Sequence, residues 1–309
     1  MTSPNAPAAP SANEKTILIV GMHRSGTSML TRLIHTMGAH AGEPTDLIPR
    51  GLHDNPHGYW ERNDVLNEHE KILAFHGYAW NSLAHFRYDR LDFGYRRAFI
   101  QRAAQWRRKV NTGGRPFVLK DPRACLLLPA WQEALRNPVC VFSVRDPRVI
   151  ATSICTPQRG SYPGAFVLAL WEKYMQQALE ALRGKRVLFV RYERLIRNPQ
   201  SECARIAAGV ARLGVPDLQS PASGDLDGLI DTRLNRSKPS PQAILTGAQQ
   251  ALLNWLDAQC AAVGPTLVAA LPRFDSPDQV LERFQVPLRL ADRNTAANAP
   301  QLAAMRYRS

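Results

Sequence analysis

Gly21-Met-His-Arg-Ser-Gly-Thr-Ser28 decides the fold. It follows Thr16-Ile-Leu-Ile-Val20, a short apolar run rich in β-branched residues. A helical pattern over residues 28–37 comes next. The order is buried strand, tight turn, helix. That context suits a turn that holds an anion such as phosphate. Glycines let the backbone approach a ligand closely, successive N–H groups form a nest, and the helix N-terminus adds positive potential. The plain alternative is a strand–helix turn capped by its own Ser and Thr.

The strand–helix rhythm recurs outward from this turn. Phe117-Val-Leu-Lys120 reads as a second strand, with a helical stretch over 126–136. Val139-Cys-Val-Phe-Ser-Val-Arg145 is a third, followed by a helix over 149–154. Val187-Leu-Phe-Val-Arg191 is a fourth, again with a helix after it. The pattern predicts an α/β fold with a central parallel sheet flanked by helices. One domain over 15–290 is expected, with a lead-in of Ala, Pro and Ser over 1–14 and a weakly ordered tail over 291–309.

Residues 38–114 interrupt the rhythm as an insertion. Its first half is rich in Gly, Pro, His and Asp, and helices are expected over 65–76 and 93–110. The second helix carries Arg96, Arg97, Arg102, Arg107, Arg108 and Lys109. They read either as a solvated face or as a surface for an acidic substrate. A further helix is expected over 241–262.

The 309 residues are 45% hydrophobic, enough for a substantial core. With 39 Lys+Arg against 26 Asp+Glu the net charge is +13, which favours an anionic partner without choosing one. The five cysteines contain no C-x-x-C, which argues against a zinc ribbon or redox pair. Buried thiols and a cytoplasmic location follow as expectations. No apolar run approaches the ~20 residues of a membrane span. No metal-ligand spacing is present, so none is expected to be bound. Nothing resembles a recognition helix or an aromatic-interleaved basic strand, so nucleic acid is not expected as a partner.

The turn has the G-x-x-x-x-G-K-[ST] spacing of P-loop nucleotide hydrolases, except that Thr27 stands at the lysine position. Those enzymes use that lysine on the β/γ-phosphates, so its absence counts against ATP or GTP hydrolysis. The cation has moved forward to Arg24.

With this departure, [KR]-S-G-T-[ST] after the first strand resembles the 5′-phosphosulfate loop of the sulfotransferases that use PAPS (3′-phosphoadenosine 5′-phosphosulfate). The fold implied is P-loop-like, with the insertion forming the acceptor cleft. The resemblance implies that Arg24, Ser25, Gly26, Thr27 and Ser28 hold the 5′ end of the cofactor. The family's second signature is an Arg at a strand end with a Ser eight residues on, both holding the 3′-phosphate; Arg145 and Ser153 match it. Physically, Arg145 at a strand's C-terminal end points toward the ligand crevice of such a sheet; a capping ion pair with Asp146 is the alternative.

Lys120-Asp-Pro-Arg123 resembles the K-D-P segment of the tyrosylprotein and related bacterial sulfotransferases, where the lysine assists transfer. A structural Lys–Asp pair is the alternative. Tyr192 resembles the tyrosine of a Y-E-D segment near the adenine pocket, although Arg194 stands where Asp is usual. Adenine stacking and plain packing both remain open for it. Arg233, Arg236 and Lys238 correspond loosely to a late basic loop over the 3′-phosphate. In relatives a Glu or His near Gly58-Tyr-Trp-Glu61 takes the acceptor proton, which makes Glu61 the candidate base, with His53, His57 and Asp64 as competitors and a structural pair to Arg62 or Arg24 as alternative.

The resemblance spans 15–213 and implies sulfuryl transfer from PAPS to a hydroxyl or amine, releasing PAP (adenosine 3′,5′-bisphosphate). The acceptor is unread: a glycan, peptide or small metabolite. A P-loop small-molecule kinase and a non-catalytic PAP-binding protein are the alternatives.

Overall fold

Strand β1 (Thr16–Val20) buries all five of its side chains, as a strand covered on both faces must. Alternate residues face opposite sides. Leu18 and Val20 enter one core, with Leu119, Phe142 and Phe189. Ile17 and Ile19 enter the other, with Val118, Val141, Leu188 and Val190. In this computed structural model, residues 15–49, 57–155, 162–222, 224, 226, 229 and 238–284 are described.

Strands β2 (Phe117–Lys120), β3 (Val139–Val144) and β4 (Arg186–Arg191) complete the parallel part of the sheet. A short β5 (Thr266–Leu267) adds on antiparallel, and the order is β2-β1-β3-β4-β5. β1 therefore lies between β2 and β3, and the chain leaves it in both directions. In open α/β sheets the ligand crevice forms at the strand C-termini beside such a reversal. The expected α/β class and the four parallel strands are as the sequence predicts; the antiparallel β5 is an addition.

Helices α1 (Thr27–Thr36), α2 (Asn63–Phe75), α3 (Phe93–Lys109), α4 (Leu128–Ala134), α5 (Pro147–Ile154) and α6 (Gly164–Ala181) follow in chain order. They continue as α7 (Tyr192–Arg197), α8 (Pro199–Arg212), α9 (Gly247–Ala261) and α10 (Asp278–Phe284). Leu30, Leu33 and Ile34 of α1 share a core with Ile206 and Val210 of α8. Trp131 of α4, and Phe166, Trp171 and Tyr174 of α6, fill the other. α6 has no counterpart in the sequence pattern. Its buried residues include an unbroken run from Phe166 to Met175, so the 3.6-residue contrast that marks an amphipathic helix is missing. The helix expected over 126–136 is shorter, α4, and a 3-10 turn, Pro122–Cys125, precedes it. The one expected over 241–262 starts later, where Thr246 and Gln249 form a capping box.

Within the insertion α2 and α3 run antiparallel. Trp106 Nε1 donates to Asp64 at 2.8 Å, Arg102 Nε to Glu68 at 2.9 Å, and Phe75 stacks on Tyr95 at 4.3 Å. The expected lead-in 1–14 and tail 291–309 lie outside the described residues, as do His53, Arg233 and Arg236. Among the described residues, no helix is long and apolar enough to cross a membrane.

Candidate active site

The turn after β1 is built from left-handed backbone. Arg24 has φ 66° and Gly26, at the N-cap of α1, has φ 89°. The second value suits glycine, and space demands it too, because a Cβ on Gly26 would overlap the Tyr192 ring. Three contacts fix the turn from below. Ser143 Oγ donates to the Ser25 carbonyl at 2.8 Å, Arg145 Nη1 to the Arg24 carbonyl at 2.9 Å, and Gly21 N–H to Cys125 Sγ at 3.2 Å.

Ser25 does not cap the helix. Its hydroxyl bonds back to the Met22 carbonyl at 2.7 Å, and the α1 N-terminus has no side-chain cap at all. By contrast Asp92, Asp146 and Thr246 cap α3, α5 and α9. The self-capped alternative for this turn is therefore not what the chain adopts. The positive end of α1 stays open to an anion.

Arg24 and Arg145 come from the ends of different strands and meet here. Arg24 Nε donates to Ser153 Oγ at 2.9 Å. The Arg145 guanidinium lies 4.3 Å over the Tyr192 ring. Burial is the main influence lowering both guanidinium pKa values, and the Arg24 charge pushes Arg145 down further. Two cations held together out of water are stabilised by an anion bound between them. The capping pair once open to Arg145 is taken by a neighbour: Asp146 binds Arg148 at 2.6 Å. Tyr192 packs against Gly26 and under Arg145, 9% exposed.

Lys120, at the end of β2, sits opposite. Its ammonium donates to Ser28 Oγ at 3.2 Å, to the Tyr59 carbonyl at 2.9 Å and to Glu61 Oε1 at 2.5 Å. An ammonium has three protons, so all three are used. The segment 58–61 is bent to make this possible. Gly58 has φ 82° and Trp60 φ 59°, a strained value for a bulky residue. Ile48 N–H clamps the Glu61 carbonyl at 2.8 Å. Glu61 thus pairs with Lys120 rather than with Arg62 or Arg24. Arg62 instead holds Asp46 at 2.7 Å and Asp64 at 2.8 Å. Burial raises the Glu61 pKa and the Lys120 charge pulls it back.

Asp121 is not the partner of Lys120. It accepts the Arg123 backbone N–H at 2.8 Å and the Arg123 guanidinium at 3.3 Å, and Arg123 reaches Glu70 of α2 at 2.5 Å. His69 Nδ1 lies 3.3 Å from Asp121 Oδ1, close but not aligned for a hydrogen bond, while its Nε2 accepts Trp131 Nε1 at 2.7 Å. Burial opposes the Asp121 charge, but Arg123 and His69 override it and hold the carboxyl well below the usual range. This network locks α2 to the end of β2. Sequence reasoning missed it, as it missed Ser143 and Cys125, because nothing in one strand announces what lies under its neighbour.

Lys238 is exposed, but its carbonyl accepts Thr152 Oγ1 at 2.7 Å, which ties that late segment to α5 beside Ser153. No group of three or more His, Cys, Asp or Glu residues is arranged to hold a metal among the described residues.

The sulfotransferase family matches residues 16–217 of the 309. The chain belongs to that family. No curated protein matches it. Among solved structures it is similar to the sulfotransferase STF1 from Mycobacterium tuberculosis H37Rv, at 16% identity over 80% of this chain and 76% of that one, with a TM-score of 0.43. It is also similar to the sulfotransferase domain of the Synechococcus PCC 7002 olefin synthase, at 19% identity over 88% of this chain and 95% of that one, with a TM-score of 0.38.

Proposed function

We propose that the chain transfers the sulfuryl group of PAPS to a hydroxyl or amine and releases PAP. One observation carries the reading: the meeting of Arg24, Arg145 and Ser153 at the uncapped start of α1. A donor with phosphates at both 5′ and 3′ positions needs two neighbouring cationic subsites. The residues fit it. Gly26, Thr27 and Ser28 would offer backbone N–H groups to the 5′-phosphate, and Arg24 would face the bridging oxygen. Arg145 and Ser153 would take the 3′-phosphate, with Tyr192 stiffening Arg145 and Lys238 tied to α5 beside Ser153.

In the transfer, the acceptor oxygen or nitrogen forms a bond to sulfur as the bond from sulfur to the 5′-phosphate oxygen breaks. Glu61 takes the acceptor's proton. Burial, which raises its pKa, makes it a stronger base than an exposed carboxylate. Lys120 touches the donor turn through Ser28 and the acceptor side through Glu61, so its charge can follow the developing charge on the sulfuryl and leaving-group oxygens. Position and charge suffice for this chemistry.

Calorimetric titration of PAP against AMP tests the donor. PAP should bind at least about tenfold more tightly, since a charge-assisted contact is worth ~1.5–3 kcal/mol. Equal affinities would sink the 3′-phosphate assignment. A screen of acceptors with labelled PAPS then tests the transfer.

A further inference from the structure

Away from these residues a cleft of about 270 Å³ opens between α3 and α4. Three arginines line it, Arg97, Arg108 and Arg136, with Gln101, Gln105 and one acid, Glu133. α3 itself carries six cations and no acid. Some of its cations are committed: Arg102 to Glu68 at 2.9 Å and Arg107 to Thr16 Oγ1 at 2.9 Å. Arg97 reaches Glu133 at 3.3 Å, with both side chains 55% exposed. A pair that open to water contributes little and separates readily. The guanidinium groups of Arg108 and Arg136 make no hydrogen bond or ion pair among the described residues, and both are exposed. Arg136 is presented from a left-handed turn, φ 52°, at the end of α4.

The cleft does not overlap the phosphate turn. Arg107, next to Arg108, binds Thr16 at the start of β1, whereas the turn leaves the other end of that strand, roughly 16 Å away for five residues.

We propose that this cleft docks an acidic polysaccharide, with Arg97, Arg108 and Arg136 on its carboxylate or sulfate groups and Gln101 and Gln105 on its hydroxyls. Its lining decides among polyanions. No aromatic side chain lines it, so it lacks the stacking surface that single-stranded nucleic acid uses. Its apolar lining is small, the half-buried Ile100, Ala104 and Ala134, unlike the bulky apolar face that inserts into a membrane interface. It also lacks the aromatic anchor pocket typical of a protein hot spot. Amides flanked by guanidinium groups match a chain bearing both hydroxyls and charges. The biological sense of the proposal rests on the sulfotransferase reading, because such a chain also carries hydroxyls to be sulfated; the cleft itself is independent of it.

The test titrates the full chain with dextran sulfate and polygalacturonate, with neutral dextran, polyglutamate and oligothymidylate as comparisons. At least one of the two acidic polysaccharides should bind, with affinity falling steeply as salt rises. R108E/R136E should weaken that binding about tenfold or more, and Q101A/Q105A should weaken it at unchanged salt dependence. PAP affinity should be the same in all three proteins, which also shows the variants folded. No polysaccharide binding, equal binding by R108E/R136E, or equal binding of polyglutamate or oligothymidylate would overturn the proposal. If PAP fails to bind any form while the polysaccharide still does, the donor assignment falls and the docking site stands.

Discussion

Lys120 Nζ lies 2.5 Å from Glu61 Oε1, in a pair whose side chains are 2% and 4% exposed. One partner ends a strand of the sheet and the other ends the strained segment after Gly58. The same ammonium holds Ser28 of the phosphate turn. The turn after β1 and the segment after Gly58 therefore share one proton donor, Lys120.

The first prediction concerns that pair. Glu61→Gln keeps an oxygen for Lys120 but removes the base, so turnover should fall to background while PAP affinity stays within about twofold. Lys120→Met leaves a buried carboxylate unpaired and should cost about 3–5 kcal/mol of stability, read by thermal melting. Glu61 works as a base only when ionised, so the rate should rise with pH through its raised pKa. Losing Lys120 removes the influence that lowers that pKa, so any residual rate should have its acid limb at higher pH. Full turnover in Glu61→Gln would dismiss Glu61 as base.

Arg145→Ala should weaken PAP by about 2–3 kcal/mol and AMP by much less, because only PAP carries the 3′-phosphate. The difference is read by paired calorimetric titrations. Parallel losses for both ligands would mean that Arg145 acts through the Arg24 carbonyl it holds and not on the ligand.

Gly26→Ala meets two obstacles. Its φ of 89° costs an alanine roughly 1–2 kcal/mol, and the new methyl collides with the Tyr192 ring. PAP affinity should drop at least about tenfold. In Gly26→Ala/Tyr192→Ala the collision is gone but the strain is not, so the double variant should lose less than the sum of the singles. Strict additivity would show that Tyr192 does not hold the turn.

Much of this architecture is legible in one dimension, for identifiable reasons. The strands are buried on both faces, so β1 and β3 read as mainly apolar, β-branched runs, broken only by Thr16 and Ser143. The turn needs glycine at Gly26 for backbone reasons that any sequence must respect. What stays hidden is pairing across the fold. Glu61 and Lys120 are 59 residues apart, and only the bend at Gly58 and Trp60 brings them together. α6 hid for another reason: its buried run from Phe166 to Met175 covers every face and includes Glu172 and Lys173, so no apolar period marks it. Lys120-Asp-Pro-Arg123 shows its charges plainly, yet not that the lysine turns to Glu61 while the aspartate turns to the arginine.

That division of labour gives the last prediction. Arg123 and His69 hold the Asp121 carboxyl below its ordinary pKa, against the burial that opposes its charge. A carboxylate whose folded pKa is depressed stabilises the fold above its unfolded value, near 3.9, and loses that contribution as pH falls toward the folded value. Asp121→Asn keeps the shape but takes one carboxylate partner from the buried Arg123. It should destabilise by about 3–5 kcal/mol at pH 7. The gap between the parent protein and Asp121→Asn, measured by urea unfolding, should stay constant from pH 7 down to about 4 and narrow below it. A gap that stays flat below pH 4, or widens between pH 7 and 5, would mean that the folded protein does not hold the Asp121 carboxyl below its ordinary pKa. The network under Lys120 would then not be the charge-locked brace that its contacts describe.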